Sequence, residues 1–289
     1  MTERLSKERP MEGMNCSALA GRRILAVDGS AIRGPSAITS SWRLHYALDI
    51  GTLACHEMEI TDGKVGESLS RFAVQKEDVI VADRGFANRR GVNHVLDRAG
   101  DILVRMNLSS LPLQDEAGQP FVQLAHLTSL KMVQSGEWPA TMQGQGTNES
   151  IAVRVCAYRK NEIQRAESER KYYQYLNKKQ QKFQADTVAA TGYVVLLTRL
   201  KGPNAEAILA LYRHRWQIEL AFKRMKSLLG LGHLKKKDAE GAKGAKAWLQ
   251  GKLLVACLIE WLIALDDHFS PLGPTQHEEK SYETSLPVA

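Results

Sequence analysis

Apolar and polar residues along the first hundred positions follow the pattern of a sheet. Residues 42–50 and 54–60 alternate apolar with polar positions, as half-buried strands do. Residues 78–82 and 101–106 are continuous apolar runs, which is typical of strands buried on both faces. Together with the short apolar run 24–27, this pattern predicts three strands in an antiparallel meander, followed by two buried strands.

Helical periodicity predicts four helices. Two short helices are expected at about 64–72 and 88–99, on either side of the first buried strand. A long helix is expected at 205–231 and a final one at about 245–267. The final helix contains the apolar run 253–265, which is shorter than the roughly 20 residues that cross a bilayer. This run is therefore interpreted as a buried helix.

The middle of the chain, residues 107–200, has a different pattern. Residues 107–150 are rich in Gln, Gly, Ser and Pro, whereas 151–158 and 193–200 resemble strands. The polar segment 159–188 between these two strands is interpreted as a solvated basic loop. We expect the whole region to form a largely β insertion.

Four polar residues share one face of the 205–231 helix: Tyr212, Arg215, Glu219 and Lys226. At about 100° per residue they fall within an arc of roughly 60°. Apolar positions border this arc on both sides, so the polar stripe is expected to face the protein. A carboxylate there needs a cationic partner or a metal ion. An internal ion pair between Arg215 and Glu219, four residues apart, is the structural alternative.

Two aspartates occupy positions typical of active sites. Asp28 and Asp83 each close an apolar strand and precede a Gly-containing turn, where a turn role would explain either one alone. If adjacent strands bring them together beside Glu219, three carboxylates share one place, which is stable mainly with a divalent metal. Oxygen ligands favour Mg²⁺ or Mn²⁺. Glu67 would add a carboxylate near the site but is interpreted as an exposed helix residue.

Composition narrows the classes of protein. With 289 residues and 44% hydrophobic content, the chain can bury a core in one or two domains. A net charge of +7 and a pI near 9.2 favour a polyanionic partner. Residues 159–182 hold eight Lys or Arg against three Glu, which suits either nonspecific contacts to a DNA backbone or a solvated surface. Four scattered cysteines predict neither a zinc site nor a disulfide scaffold and fit a reducing cytosol.

Three segments together resemble the DDE transposases of bacterial insertion sequences that carry a Y-R-E-K signature. The segments are VDGSAIRGP around Asp28, VADRGFANR around Asp83, and YRHRWQIELAFKRMK from Tyr212 to Lys226. In the third segment, all four signature residues match in type and spacing. The resemblance implies an α/β fold with a ribonuclease H-like mixed sheet flanked by helices. It also implies a β insertion between the second Asp and the catalytic Glu.

The resemblance assigns roles to the signature residues. The catalytic and metal-binding residues would be Asp28, Asp83 and Glu219, which would hold two Mg²⁺ ions with Mn²⁺ as a substitute. The contacts to DNA phosphates would come from Tyr212, Arg215 and Lys226. Neighbouring Arg33 and Arg84 are expected to neutralise phosphates or to balance local charge.

A base-stacking residue is less clearly defined. Some relatives place a Trp in the insertion, just before its last strand, to stack on a flipped base. Here that neighbourhood offers Tyr193, for which a role in the core or on the surface is the simpler explanation. Trp138 is an alternative whose position the sequence does not give.

The resemblance implies a transposase catalytic domain that cuts double-stranded DNA at transposon ends, joins it to target DNA and works as a homodimer on DNA. A bacterial cytosolic location and no membrane partner are expected. Relatives usually carry an N-terminal DNA-binding domain, and here 27 residues precede Asp28. A truncated, catalytically idle chain that inhibits a full-length transposase by hetero-oligomerisation is therefore one alternative. A metal-dependent nuclease without strand transfer is another.

These expectations divide the chain into five parts. The first part of the catalytic core is expected at 21–106, the β insertion at 107–200, and the second part of the core, with the Y-R-E-K helix and the final helix, at 201–268. Disordered segments are expected at both ends, 1–20 and 269–289.

Overall fold

The computed structural model describes residues 19–33, 42–144, 149–231 and 243–265. The predictions for residues 1–18, for the Gly34-Pro35 break and for the 269–289 tail lie outside the described residues. Leu19, at the start of the first described range, is already buried in the core.

Within the described ranges the chain forms nine strands and seven α-helices. The strands are β1 (Ile24–Ile32), β2 (Trp42–Asp49), β3 (Cys55–Asp62), β4 (Val79–Ala82), β5 (Asp101–Arg105), β6 (Leu113–Gln114), β7 (Ser135–Gln143), β8 (Ser150–Arg159) and β9 (Tyr193–Thr198). The helices are α1 (Arg89–Leu96), α2 (Gln123–Thr128), α3 (Glu162–Lys179), α4 (Ala185–Thr191), α5 (Ala205–Arg213), α6 (Trp216–Leu228) and α7 (Lys243–Leu265).

All nine strands belong to one mixed sheet, in the order β3-β2-β1-β4-β5-β9-β8-β7-β6. Strands β1 to β3 form the predicted antiparallel meander, and β4 and β5 run parallel to β1. Strand β9 pairs antiparallel with β5 and continues through β8 and β7 to β6. The predicted α/β class is confirmed, and the sheet is compatible with a ribonuclease H-like arrangement. The insertion at 107–200 stays a prediction.

The central strands are buried on both faces of the sheet. Leu25 and Ile80 belong to a core cluster that includes side chains of α1, whereas Ala26 and Val81 belong to a second cluster with α5, α6 and α7. Successive residues of a strand point to opposite faces, so a strand covered on both sides must be apolar throughout. This confirms the interpretation of the continuous apolar runs.

Two helix predictions are wrong in their extent. Residues 64–72 contain only a three-residue 3₁₀ turn, Leu69–Arg71. The expected long helix at 205–231 is divided into α5 and α6. At the division, the N–H groups of His214 and Arg215 donate to the carbonyls three residues earlier, each at 3.1 Å. Such bonds tighten the backbone into a 3₁₀ turn without any Gly or Pro, so the sequence gives little sign of the break.

The basic segment 159–188 contains α3 and the first residues of α4, so its interpretation as a loop is wrong. Helix α3 begins with a capping box in which Asn161 and Gln164 satisfy each other's backbone N–H groups. Along its exposed side, Arg165 and Glu169 form an ion pair of 2.7 Å, four residues apart. Leu176 is the buried residue of α3, so this helix lacks the apolar periodicity that would have predicted it.

The final helix is confirmed, but the interpretation of its apolar run as buried is wrong for one side. Leu254, Trp261 and Leu262 are 61%, 59% and 58% exposed. The opposite side packs through Leu249 and Leu253, and Glu260 accepts a 2.9 Å hydrogen bond from the N–H of Cys55. Across the described ranges, none of the helices combines the length and apolar character that a bilayer crossing needs.

Candidate active site

Asp28 and Asp83 lie at the same place in the sheet, although the prediction that Asp28 ends its strand is wrong. Strand β1 continues to Ile32, and Asp28 pairs with Tyr46 of β2. The parallel pairing of β1 with β4, however, stops at Val27 and Ala82, the residues just before the two aspartates. Both carboxylates therefore follow the point where β1 and β4 separate.

Side chains from α5 and α6 reach these carboxylates. The Tyr212 hydroxyl donates a 3.2 Å hydrogen bond to Oδ1 of Asp83. The Arg215 guanidinium lies 2.6 Å from Glu219 Oε1 and 3.6 Å from Asp28 Oδ2. Arg215 thus forms the ion pair with Glu219 that the sequence offered as an alternative, and it also connects that pair to Asp28. The three acids and two signature residues form one cluster.

The two aspartates have opposite pKa shifts. Burial raises the pKa of Asp28 to about 6; the Gly29 N–H and Arg215 counteract this only partly, and the charges of Glu67 and Asp83 add to the increase. Burial also acts on Asp83, but the Arg84 N–H and three nearby arginines outweigh it and lower the pKa of this carboxyl. Of the two aspartates, Asp28 therefore has the less compensated charge.

Glu67 is a fourth carboxylate at this site, and its interpretation as an exposed helix residue is wrong. Its side chain is about 29% exposed and lies 3.2 Å from Arg43. A Cβ added at Gly29 would lie 2.7 Å from Glu67 Oε1, and one added at Gly85 would lie 3.1 Å from Oε2. The glycines that follow the two aspartates in sequence therefore leave room for this side chain. From the sequence, these glycines were interpreted only as turn residues.

The remaining candidates occupy different surroundings. Arg84 is exposed in the 3₁₀ turn after Asp83, and Arg33 is exposed one residue beyond β1. Lys226 is exposed on α6, two turns beyond Glu219. Tyr193 is 8% exposed in the core, with the Arg159 guanidinium 5.9 Å from its ring centre. A base could stack on Tyr193 only after this packing had opened.

Two further cations near the site were not identified from the sequence. Arg105 ends β5, and Lys160 precedes α3 by two residues. Both line a cleft of about 510 Å³ that also includes Tyr212 and Arg215. Sequence spacing alone gave no sign that they would meet, because the pairing of β5, β9 and β8 brings them together from positions 55 residues apart.

The acidic cluster fits a hard divalent cation by its chemistry. Asp28, Asp83 and Glu219 offer only oxygen donors, the type that Mg²⁺ and Mn²⁺ prefer. Burial is the main cause of the raised pKa of Asp28, and the charges of Glu67 and Asp83 add to it, so a cation beside this carboxylate would stabilise its charged form. As the side chains stand, however, no group of three or more His, Cys, Asp or Glu in the described ranges is arranged to hold a metal ion. Arg215 takes the position of a cation between Asp28 and Glu219.

Comparison with known proteins adds an independent observation. The family model described as "Transposase DDE domain" matches residues 19–258. The chain is also similar to the putative transposase InsL of insertion sequence element IS186A from Escherichia coli K12, and to the transposase of insertion sequence element IS421 from Escherichia coli. Each is 34% identical over 258 residues, which span 87% of this chain and 69% of the relative.

Proposed function

We propose that this chain, which belongs to the transposase DDE domain family, cleaves DNA at transposon ends and joins the cut ends to target DNA. The observation that carries the proposal is the meeting of Asp28, Asp83 and Glu219 around Tyr212 and Arg215. These acids come from β1, from the end of β4 and from α6. Carboxylates that three different elements bring close together are suited to metal-assisted phosphodiester chemistry.

The sheet supports a ribonuclease H-like core. Its part β3-β2-β1-β4-β5 combines an antiparallel meander with two strands parallel to β1, and helices cover both faces. Asp28 lies on the central strand of this part, and Asp83 directly follows the neighbouring strand. Helix α6 packs against β1 and β2 and brings Glu219 to the same edge.

Asp28, Asp83 and Glu219 would hold two Mg²⁺ ions, for which Mn²⁺ would substitute. When bound, such ions make the attacking oxygen more nucleophilic and stabilise the leaving oxygen. In cleavage, the oxygen of water forms a bond to phosphorus; in strand transfer, a 3′-hydroxyl oxygen does so. In both, the attacking oxygen loses a proton, the bond from phosphorus to the 3′-oxygen of the attacked strand breaks, and that 3′-oxygen takes up a proton.

The cations of the site would receive the DNA. Arg215 is committed to carboxylates and would release them to a metal ion, which frees its guanidinium for a phosphate. Arg33, Arg84 and Lys226 are exposed and would contact the strand from the surface. Tyr212 would keep Asp83 oriented through its hydrogen bond. Double-stranded transposon ends and target DNA are the partners, and a homodimer would hold two ends together.

A cleavage assay tests this proposal. The purified chain is incubated with Mg²⁺ and a labelled duplex that contains the DNA flanking its coding sequence, and products are resolved on a denaturing gel. We expect a cut at the element's end and, from a pre-cut end with a free 3′-hydroxyl, joined products with a target plasmid. Glu219→Gln serves as the inactive control. Hydrolysis without joined products would instead assign a nuclease.

A catalytically idle chain is the second candidate, and the Arg215 ion pairs favour it. An arginine that already neutralises Asp28 and Glu219 reduces the negative charge that would attract a metal ion. Such a chain would pair with an active transposase and lower its activity. Absence of cleavage, combined with inhibition of a full-length relative in the same assay, would establish this role.

A further inference from the structure

We propose that the cleft between α3 and the α5–α6 turn binds a DNA phosphate through Lys160 and Arg105, at a position along the strand from the phosphate being cut. The proposal rests on the proposed function, since it places this subsite beside the acidic cluster. Tyr212 and Arg215 line the cleft and also contact the cluster. A strand whose cut phosphate lies at the carboxylates would therefore continue directly into the cleft.

The charges of the cleft favour an anion. Besides Arg215, its lining contains Arg105, Lys160 and Arg213, and its acidic member is Glu167. Glu167 lies 2.9 Å from Arg170 and 3.1 Å from Lys171, so its charge is already paired on the outer side of α3. The cleft thus holds more positive than negative charge, in a volume of about 510 Å³.

Lys160 is held in an environment that disfavours its charge. Its ammonium donates to Ser168 Oγ at 2.8 Å and to the Thr191 carbonyl at 2.6 Å, both of which are neutral. Burial lowers the pKa of Lys160 to about 8, and the positive charges of Arg105 and Arg84 add to the decrease. Two hydrogen bonds leave the third ammonium proton for a ligand.

A bound phosphate would compensate the excess positive charge of the cleft. It carries a negative charge, and its oxygens accept from an ammonium and a guanidinium at the same time. We assign this phosphate to a DNA strand because the cleft adjoins the acidic cluster. A free anion would not require a site next to that cluster. Lys160 then acts as a positioning residue that sets the register of the strand.

The experiment scans the labelled end duplex with one uncharged methylphosphonate at a time and measures affinity without divalent metal. Parent, Lys160→Met and Lys160→Arg are compared by fluorescence anisotropy. We expect Lys160→Met to weaken binding of the normal duplex roughly tenfold and to reduce the salt slope by about one. At one position along the strand, the methylphosphonate should weaken DNA binding by the parent to a similar degree. At that same position it should leave DNA binding by Lys160→Met unchanged. Lys160→Arg should behave as the parent does.

Other outcomes overturn the proposal. An equal effect of every methylphosphonate on parent and Lys160→Met would show that Lys160 contacts no particular phosphate. Saturable binding of inorganic phosphate alone that depends on Lys160, with no position-specific effect in DNA, would assign the cleft to a free anion. If Lys160→Met melts at a much lower temperature than the parent, Arg105→Gln provides the same comparison, because Arg105 also lines the cleft.

The test also separates this proposal from the proposed function. Binding is measured without cleavage, so a parent that binds the end duplex at a Lys160-dependent phosphate but never cuts it contradicts only the catalytic assignment. A parent that cuts and joins DNA while Lys160→Met keeps the parent's phosphate profile contradicts only the subsite.

Discussion

The phenolic hydroxyl of Tyr212 donates a 3.2 Å hydrogen bond to Oδ1 of Asp83, which lies 129 residues earlier in the chain. This contact joins α5 to the end of β4 and orients one carboxylate of the acidic cluster. Burial raises the pKa of Tyr212 above its ordinary value, and the charge of Asp83 adds to the increase. The hydroxyl therefore stays protonated and remains a donor across the physiological range of pH.

Tyr212→Phe should remove this hydrogen bond while keeping the ring in place. We expect the free energy of unfolding to fall by about 0.5–1.5 kcal/mol, the usual contribution of one such bond. Urea denaturation followed by circular dichroism measures the change. Tyr173→Phe is the matched control, since Tyr173 is 44% exposed on α3. Equal stability of Tyr212→Phe and the parent would mean that the hydrogen bond to Asp83 does not contribute to the free energy of unfolding.

Glu219→Gln should abolish metal-dependent cleavage and keep the fold, because the amide retains the size of the side chain but loses the charge. Loss of a residue that only hydrogen-bonds to a metal ligand typically lowers metal affinity or activity by roughly 10–100-fold. Loss of a ligand itself should have a larger effect, so we expect the cleavage rate to decrease by at least about 100-fold. Glu206→Gln on α5 is the control, since Glu206 is exposed. Comparable rates for Glu219→Gln and Glu206→Gln would remove Glu219 from the catalytic set.

The acidic cluster was only partly predictable from the sequence. Asp83 follows a continuous apolar strand, and Glu219 keeps the Y-R-E-K spacing, so both were identified. Glu67 was considered but interpreted as an exposed helix residue, because its position depends on how the chain after β3 folds back over Gly29 and Gly85. Arg105 and Lys160 likewise meet only through long-range strand pairing. Periodicity reports local structure, whereas these contacts depend on the order of strands in the sheet.

The fold, too, was only partly predictable from the sequence. Strong patterns, such as the meander and the buried strands, were predicted because burial on one or both faces leaves a direct mark on the sequence. Helix α3 was missed because it has little apolar face: Leu176 is its buried residue, and the signals that remain are a cap and surface ion pairs. The division between α5 and α6 was missed because a 3₁₀ turn at His214 and Arg215 needs no special residue.

Gly29→Ala should displace Glu67, because the new Cβ would lie 2.7 Å from its Oε1 and 2.8 Å from its Cγ. We expect the substitution to destabilise the parent but to have a smaller effect in a Glu67→Ala background. A double-mutant cycle on the free energy of unfolding should give a coupling of roughly 0.5–3 kcal/mol. Gly66→Ala is the control, since nothing lies within 4 Å of its added Cβ. Additive effects at Gly29 and Glu67 would rule out this packing.

Lys160 should make DNA binding sensitive to alkaline pH. Its pKa is lowered to about 8, so the free protein loses this charge as the pH rises through 8, whereas a bound phosphate would retain the proton. Affinity should therefore be constant below about pH 7 and decrease as the pH rises above 8. The charged or titratable groups around Lys160 are Arg84, Arg105, Tyr158, Glu167, Lys171, Tyr212, Arg213 and Arg215.

Anisotropy titrations of the end duplex between pH 6.5 and about 9.5 measure this dependence. Lys160→Arg should give a flat profile over the same range, because a guanidinium keeps its charge. A parallel decrease in the parent and in Lys160→Arg would assign the pH dependence to another group.

The most direct measurement is an anomalous difference map from a crystal of the protein soaked in Mn²⁺. We expect manganese peaks at Asp28, Asp83 and Glu219, with the Arg215 guanidinium moved away from Asp28 and Glu219. We also expect Glu219→Gln crystals to lose at least one of these peaks. Absence of manganese at the cluster, with Arg215 still bound to both carboxylates, would contradict a metal-dependent active site in this chain.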